Sequence, residues 1–175
     1  MAESNVDLAG FDLVAGPSLT RGVFQGREAA MQAACAAAGC AVPDMLGVTQ
    51  AEGVTALRLG PQEVLFLLEP AAAQGVTEVW ASALSGVAHS LVDVTARQTA
   101  LSVGGARAAE VLGCLSPLDF APGSFAPGTA TRTLLDKADG MIWRQAEDRF
   151  HLEVWTSFLP YVTGMLKNAA HDTRF

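Results

Sequence analysis

Three histidines, three cysteines and one glycine-rich turn are the residues here whose types and spacing invite chemistry. His89 and Asp93 lie four apart in a segment that reads as a strand, so they would share a face about 13 Å apart, too far for a proton relay. His151 also sits in a strand-like run, where a surface or interface role is expected rather than a catalytic one, and His171 lies near the C-terminus. No HExxH, paired histidine or acidic cluster has metal-ligand spacing. Cys35, Cys40 and Cys114 are odd in number and unevenly spaced, with no CxxC pair, so they read as reduced, small, buried side chains in a reducing compartment. Gly104-Gly105-Ala106-Arg107 follows a strand and precedes a helix, the setting in which backbone N–H groups attract anions. GxGxxG and GxxxxGK[ST] are both absent, so the glycines read as permitting a tight turn. No GxSxG occurs either. No catalytic, cofactor-binding or metal-ligating residue is assigned.

The elements that would carry these residues form an α+β pattern. Residues 1–17 mix acids, Gly and Pro without periodicity and are expected to be a flexible N-terminal arm. Leu19–Phe24 reads as a strand, and an Ala-rich helix follows to about Ala38, stopped by Gly39 and Pro43. Residues 43–52 read as a loop. Val54–Leu59 and Glu63–Leu68 form a hairpin around Gly60-Pro61. From Pro70 a helix is expected whose apolar stripe is Val76, Val79, Trp80, Ala83 and Leu84. Ser90–Val94 and Thr99–Val103 read as strands, and Ala106–Leu112 as a short helix. After a Pro/Gly-rich stretch to Gly128 come strands Thr129–Lys137, Gly140–Arg144 and Arg149–Trp155, the first two joined by Ala138-Asp139-Gly140. A final helix runs from about Ser157 to Ala169, with Thr156 or Ser157 as N-cap.

The two halves echo each other. A shift of 86 places Val64, Phe66 and Leu68 on Phe150, Leu152 and Val154. The repeated unit is helix, hairpin, helix, so the expected fold is two ferredoxin-like (split βαβ) pseudo-repeats, about 18–94 and 97–170, within one domain over 18–175.

Composition narrows the function. Half of the 175 residues are hydrophobic, 17% are charged and the net charge is -7. That excludes disorder and disfavours nucleic-acid binding, which needs basic residues to neutralise phosphates. The densest apolar run, Val64–Leu68, is five residues against the roughly 20 that span a bilayer, and the N-terminus lacks the basic and apolar regions of a signal peptide. A cytoplasmic chain is expected. The mean hydropathy of +0.29 points to a large core or an apolar surface reserved for a partner. On Arg149–Trp155, alternation puts Arg149, His151, Glu153 and Trp155 on one face, and Trp143 lies on the neighbouring strand. A face mixing Trp, Arg and His has the composition of an interface core, so Trp143, Arg149, His151, Glu153 and Trp155 are the candidate partner interface. Residues 1–100 carry 10 acids and 4 bases, the remainder 8 and 7, and the interface is expected in the near-neutral half.

Val92-Asp93-Val94-Thr95-Ala96-Arg97-Gln98-Thr99-Ala100-Leu101 and Gly105-Ala106-Arg107-Ala108-Ala109-Glu110-Val111-Leu112 form an ordered series with later segments. These are Pro117-Leu118-Asp119, Phe125-Ala126-Pro127-Gly128, Thr131-Arg132-Thr133-Leu134-Leu135 and Phe150-His151-Leu152-Glu153-Val154-Trp155, preceded by Leu59-Gly60-Pro61-Gln62-Glu63. In order and spacing the series, spanning residues 54–170, resembles the gamma subunit of heterotetrameric sarcosine oxidase. The resemblance implies a fold similar to the folate-binding domain of glycine-cleavage aminomethyltransferases. It also implies a small cofactor-free structural subunit whose partners are the alpha, beta and delta subunits. The complex would oxidatively demethylate sarcosine to glycine, with hydrogen peroxide and a one-carbon unit, formaldehyde or methylene-tetrahydrofolate, as products. FAD, FMN, NAD, zinc and tetrahydrofolate would belong to the partner subunits. The alternatives are the same subunit of a related N-methyl amino acid oxidase, or a stand-alone folate-binding or aminomethyl-transfer protein. For the last, the KGCYxGQE-type motif of folate-binding repair proteins is not matched by Lys137-Ala138-Asp139-Gly140.

Overall fold

The computed structural model describes residues 6–173. In chain order the elements begin with β1 (Val6–Leu8), β2 (Phe11–Ala15) and β3 (Thr20–Gly26), followed by α1 (Glu28–Ala37). Next come β4 (Val48–Ala51), β5 (Val54–Gly60), β6 (Glu63–Leu68), α2 (Pro70–Ala73) and α3 (Val76–Ala83). The later part comprises β7 (His89–Asp93), β8 (Gln98–Gly104), α4 (Ala108–Gly113), β9 (Ala130–Leu135), β10 (Ala138–Ala146), β11 (Arg149–Trp155) and α5 (Leu159–Asp172). The chain divides into two compact units, Ser18–Thr95 and Met1–Pro17 with Ala96–Phe175.

In the unit Ser18–Thr95 the sheet order is β4-β5-β6-β3-β7. Its inner strand β6 is buried from Val64 through Leu68, which explains its unbroken apolar sequence. Phe24, Val64, Phe66 and Leu68 meet Ala30, Met31, Ala34 and Cys35 of α1 and Val76 and Trp80 of α3 in one core. Alanines on α1 leave room for Trp80, whose indole Nε1 donates to the Ala34 carbonyl at 2.9 Å and whose ring lies 5.0 Å from that of Phe66. Three expectations change here. Residues 48–51, read as loop, are an edge strand paired with β5. The helix from Pro70 is interrupted at Gln74 and Gly75, and its buried stripe is Val76, Trp80 and Leu84. Val79 is 48% exposed and Ala83 is also exposed.

In the other unit the order is β1-β2-β8-β11-β10-β9, antiparallel throughout. One face carries Phe11, Leu13, Leu101, Val103, Ile142, Phe150, Leu152 and Val154 against Val111, Leu112, Val162 and Leu166 of α4 and α5. The arm expected over 1–17 is therefore, in its described part, two strands, while residues 1–5 lie outside the described residues. β2 takes the place beside β8 that β7 takes beside β3 in the other unit, so the N-terminal segment supplies the fourth strand of the second ferredoxin-like repeat. Its pairing with β8 satisfies backbone groups that would otherwise line an open edge, and it buries Phe11 and Leu13 almost completely. The β9–β10 turn is Asp136-Lys137, two residues earlier than expected, because Asp136 adopts a left-handed φ of 55 that aspartate tolerates. Neither Thr156 nor Ser157 caps α5. A 3-10 turn over Thr156–Phe158 precedes that helix, and the Thr156 hydroxyl donates to the Arg97 carbonyl at 3.2 Å.

Phe11→Ala should cost about 3–5 kcal/mol, as for other buried phenylalanines. A flexible arm would lose no more than about 0.5 kcal/mol, the usual limit for surface changes. Urea unfolding of the two chains measures the difference.

Candidate docking face

β10 and β11 pair so that Trp143 stands opposite His151 and Met141 opposite Glu153, putting all four on the sheet face away from α4 and α5. His151 Nε2 lies 2.8 Å from Glu153 Oε1, and the Trp143 and His151 rings are 5.8 Å apart. An ionised carboxylate only accepts, so against it the histidine donates through Nε2. Trp143, His151 and Glu153 are 6, 3 and 1% exposed, so His151, expected as a surface or interface residue, is not at the exposed surface of this chain. The Trp143 indole Nε1 has no hydrogen-bond partner among the described residues.

Arg149 and Trp155, at the two ends of β11, are exposed and about 20 Å apart at strand spacing. Trp155 is 41% exposed, with the Arg97 guanidinium 5.6 Å from its ring centre and the Phe158 ring at 6.2 Å. It borders a groove of about 670 Å³ lined also by Gln98, Leu118, Arg132, Leu134 and Met141, in which Leu134 is 46% exposed. Large apolar groups stacked beside a guanidinium are the residue types that anchor protein interfaces. Of the five expected interface residues, the structure thus joins Trp143, His151 and Glu153 in a buried cluster and leaves Arg149 and Trp155 at the surface.

The remaining sequence candidates have local roles. The His89 ring stacks on Phe24 at 6.2 Å, and Asp93 accepts from the Thr95 amide at 2.7 Å, so the two do not act as a pair. Hydrogen bonding from the Thr95 side chain, and then from its amide, holds the Asp93 carboxyl below its usual range. His171 lies in the last turn of α5. At Gly104-Gly105 the would-be anion turn is filled by the chain itself. The Arg107 amide donates to the Gly10 carbonyl at 2.8 Å, and a Cβ on Gly105, whose φ is +97, would fall 2.5 Å from that oxygen. The Arg107 side chain donates to Ala9 at 3.2 Å, to Ala170 at 3.1 Å and to the Thr173 hydroxyl. Among the described residues, no three His, Cys, Asp or Glu stand together as a metal site. No helix of the described residues is long and apolar enough to cross a membrane. Cys35 alone is fully buried, with Cys40 half-buried and Cys114 exposed, against the expectation of three buried thiols.

Sequence reasoning missed Arg144. Its side chain is buried, and its guanidinium donates to the carbonyls of Phe120 at 2.9 Å, Phe125 at 2.7 Å, Ala146 and Glu147. It also sits 5.2 Å above the Phe150 ring. Asp119 organises the same Pro/Gly-rich loop by accepting from the Ser124 hydroxyl at 2.6 Å and the Ala121 amide at 2.9 Å. The Ser124 bond, then the amide, holds its carboxyl below the usual range. The only sequence signal was a lone arginine in an apolar strand downstream of a loop with many carbonyls to satisfy. Arg144→Met should destabilise the chain by about 3 kcal/mol or more, since stranded buried acceptors cost about 1–3 kcal/mol each. Denaturant unfolding gives the loss, and proteolysis within 116–128 should accelerate.

The chain is similar in sequence and in fold to known proteins. The gamma subunit of sarcosine oxidase from Corynebacterium sp. strain P-1 is 30% identical over 138 residues, covering 78% of this chain and 67% of that protein. A chain of the heterotetrameric sarcosine oxidase of Corynebacterium sp. U-96, solved in complex with pyrrole 2-carboxylate, superposes with a TM-score of 0.87 at 24% identity. The superposition covers 97% of this chain and 88% of that one. The glycine cleavage system aminomethyltransferase T of Bartonella henselae matches in fold, with a TM-score of 0.66 at 14% identity over 90% of this chain and 45% of that one. The model of the sarcosine oxidase gamma subunit family matches residues 25–172, and the chain belongs to that family.

Proposed function

We propose that this chain is a structural subunit of a cytoplasmic heterotetrameric sarcosine oxidase, contributing a docking surface to larger alpha, beta and delta subunits and no reacting group of its own. Membership of the gamma subunit family carries this reading. The reaction of the assembly is sarcosine, water and dioxygen going to glycine, formaldehyde and hydrogen peroxide, with tetrahydrofolate as an alternative acceptor of the one-carbon unit. FAD, FMN, NAD and zinc belong to the partner subunits, where the flavins supply the oxidising chemistry. The part of this chain is mechanical. Arg97, Trp155 and Phe158 form the anchor at one end of β11 and Arg149 marks the other, while the buried Trp143, His151 and Glu153 hold the strands between them in register. Aromatic and arginine anchors of this kind contribute most when a partner excludes water from them.

Two measurements test the proposal. Expression of the assembly without this chain should lower recovery of the complex and its flavin content, whereas full assembly and turnover without it would overturn the reading. Trp155→Asp should weaken association at least about thirty-fold, the equivalent of the 2 kcal/mol that marks an interface hot spot. The isolated variant should keep its melting temperature, because Trp155 is exposed at a strand end.

A further inference from the structure

Cys35 and Cys40 stand five residues apart around Gly39, and the end of α1 brings them together. Gly39 adopts a left-handed φ of +75. Its amide donates to the Ala36 carbonyl at 3.0 Å, and the Cys40 amide donates to the Cys35 carbonyl at 2.9 Å. These are the paired bonds of a Schellman motif, in which the side chains three residues before the cap and two after it come into contact. Here those side chains are the two thiols. Cys40 packs against the core cluster that contains Cys35, and its Sγ lies 3.5 Å from the Cys35 carbonyl oxygen. Cys35 is 0% exposed, while Cys40 is half-buried and so reachable from solvent. Chemistry separates the pair further. The hydrogen bond from Cys35 holds the Cys40 thiol below its ordinary range, with help from the Thr49 hydroxyl. The same bond, and then burial, push the Cys35 thiol up. The Arg58–Glu28 ion pair, 3.0 Å across, also acts on Cys35, the arginine favouring thiolate and the glutamate opposing it.

We propose that Cys35 and Cys40 form a peroxide-responsive dithiol, with Cys40 the attacking sulfur and Cys35 the resolving one. The Cys40 thiolate attacks one oxygen of a hydroperoxide. The S–O bond forms as the O–O bond breaks, and the departing hydroxide takes up a proton to become water when the peroxide is hydrogen peroxide. The resulting sulfenic acid is in contact with Cys35. Cys35 attacks the Cys40 sulfur, the S–S bond forms, the S–O bond breaks, and the hydroxide leaves as water with the Cys35 proton. Two thiols lose two electrons and two protons in all, and one hydrogen peroxide becomes two waters. A thiol reductant reverses the step, so capture by the neighbouring Cys35 keeps Cys40 from irreversible over-oxidation. Cys114 is exposed at the C-terminal end of α4, and its Sγ lies 3.5 Å from the Glu110 carbonyl, so it serves as an internal control. The proposal stands apart from the assembly reading, since it concerns thiols at the end of α1.

Peptide mapping of the full chain after hydrogen peroxide treatment and denaturing alkylation tests it without any variant. Cys35 and Cys40 should lose alkylation together, appear as one linked peptide, and recover together on reduction by dithiothreitol. In Cys40→Ser, Cys35 should remain alkylatable, and in Cys35→Ala, Cys40 should give a dimedone-trapped sulfenic acid. The proposal is overturned if both thiols stay alkylatable under conditions that oxidise Cys114. It is equally overturned if Cys40 advances to sulfinic acid in the unsubstituted chain without linking, or if Cys35 oxidises at an unchanged rate in Cys40→Ser.

Discussion

The pairing of Phe11–Ala15 with β8 is the constraint on which the second unit depends. A split βαβ repeat needs a strand beside its first one, and here the described strands downstream of β8 all lie on its other side, in the order β11-β10-β9, so that place falls to β2. The N-terminal segment fills it from a separation of nearly ninety residues. Arg107 and Gly105 show how tightly the join is made. One side chain ties the Ala9 carbonyl to α5, and one glycine admits the Gly10 carbonyl closer than any Cβ would allow. Burial of Phe11 and Leu13 in the same core as Phe150 and Leu152 compensates the entropy of closing so long a loop.

β11 is an inner strand flanked by β8 and β10, and the character of the sheet face carrying His151 and Glu153 follows. Inner-strand residues bury on both faces, so His151 and Glu153 need polar partners and find one in each other. At the end of β11, Trp155 emerges as an exposed aromatic side chain beside the Arg97 guanidinium. Most of the apolar side chains among the described residues are divided between the two sheet cores.

How much of this the chain announced follows from how local each signal was. The β5–β6 hairpin and α1 were legible because alternation, an alanine run and Gly or Pro punctuation all lie within a few residues. The doubled ferredoxin-like pattern was legible from matched apolar positions in β6 and β11. The N-terminal strands were not, because an acidic, Gly- and Pro-bearing segment has no local period, and its partner lies far along the chain. β4 was missed for a similar reason, since an edge strand with little buried surface leaves a weak apolar imprint. Alternation put Arg149, His151, Glu153 and Trp155 on one face correctly. Which of them would be buried depended on neighbours that no local pattern encodes. Arg144 was invisible because its partners are backbone carbonyls, which every sequence contains.

Backbone hydrogen exchange in the isolated chain tests the central claim most directly, because it reads the β2–β8 ladder itself. If Phe11–Ala15 completes the sheet, its ladder amides should exchange as slowly as those joining β10 to β11. Exchange of the 11–15 amides at open-chain rates, with β10 and β11 still protected, would contradict the account.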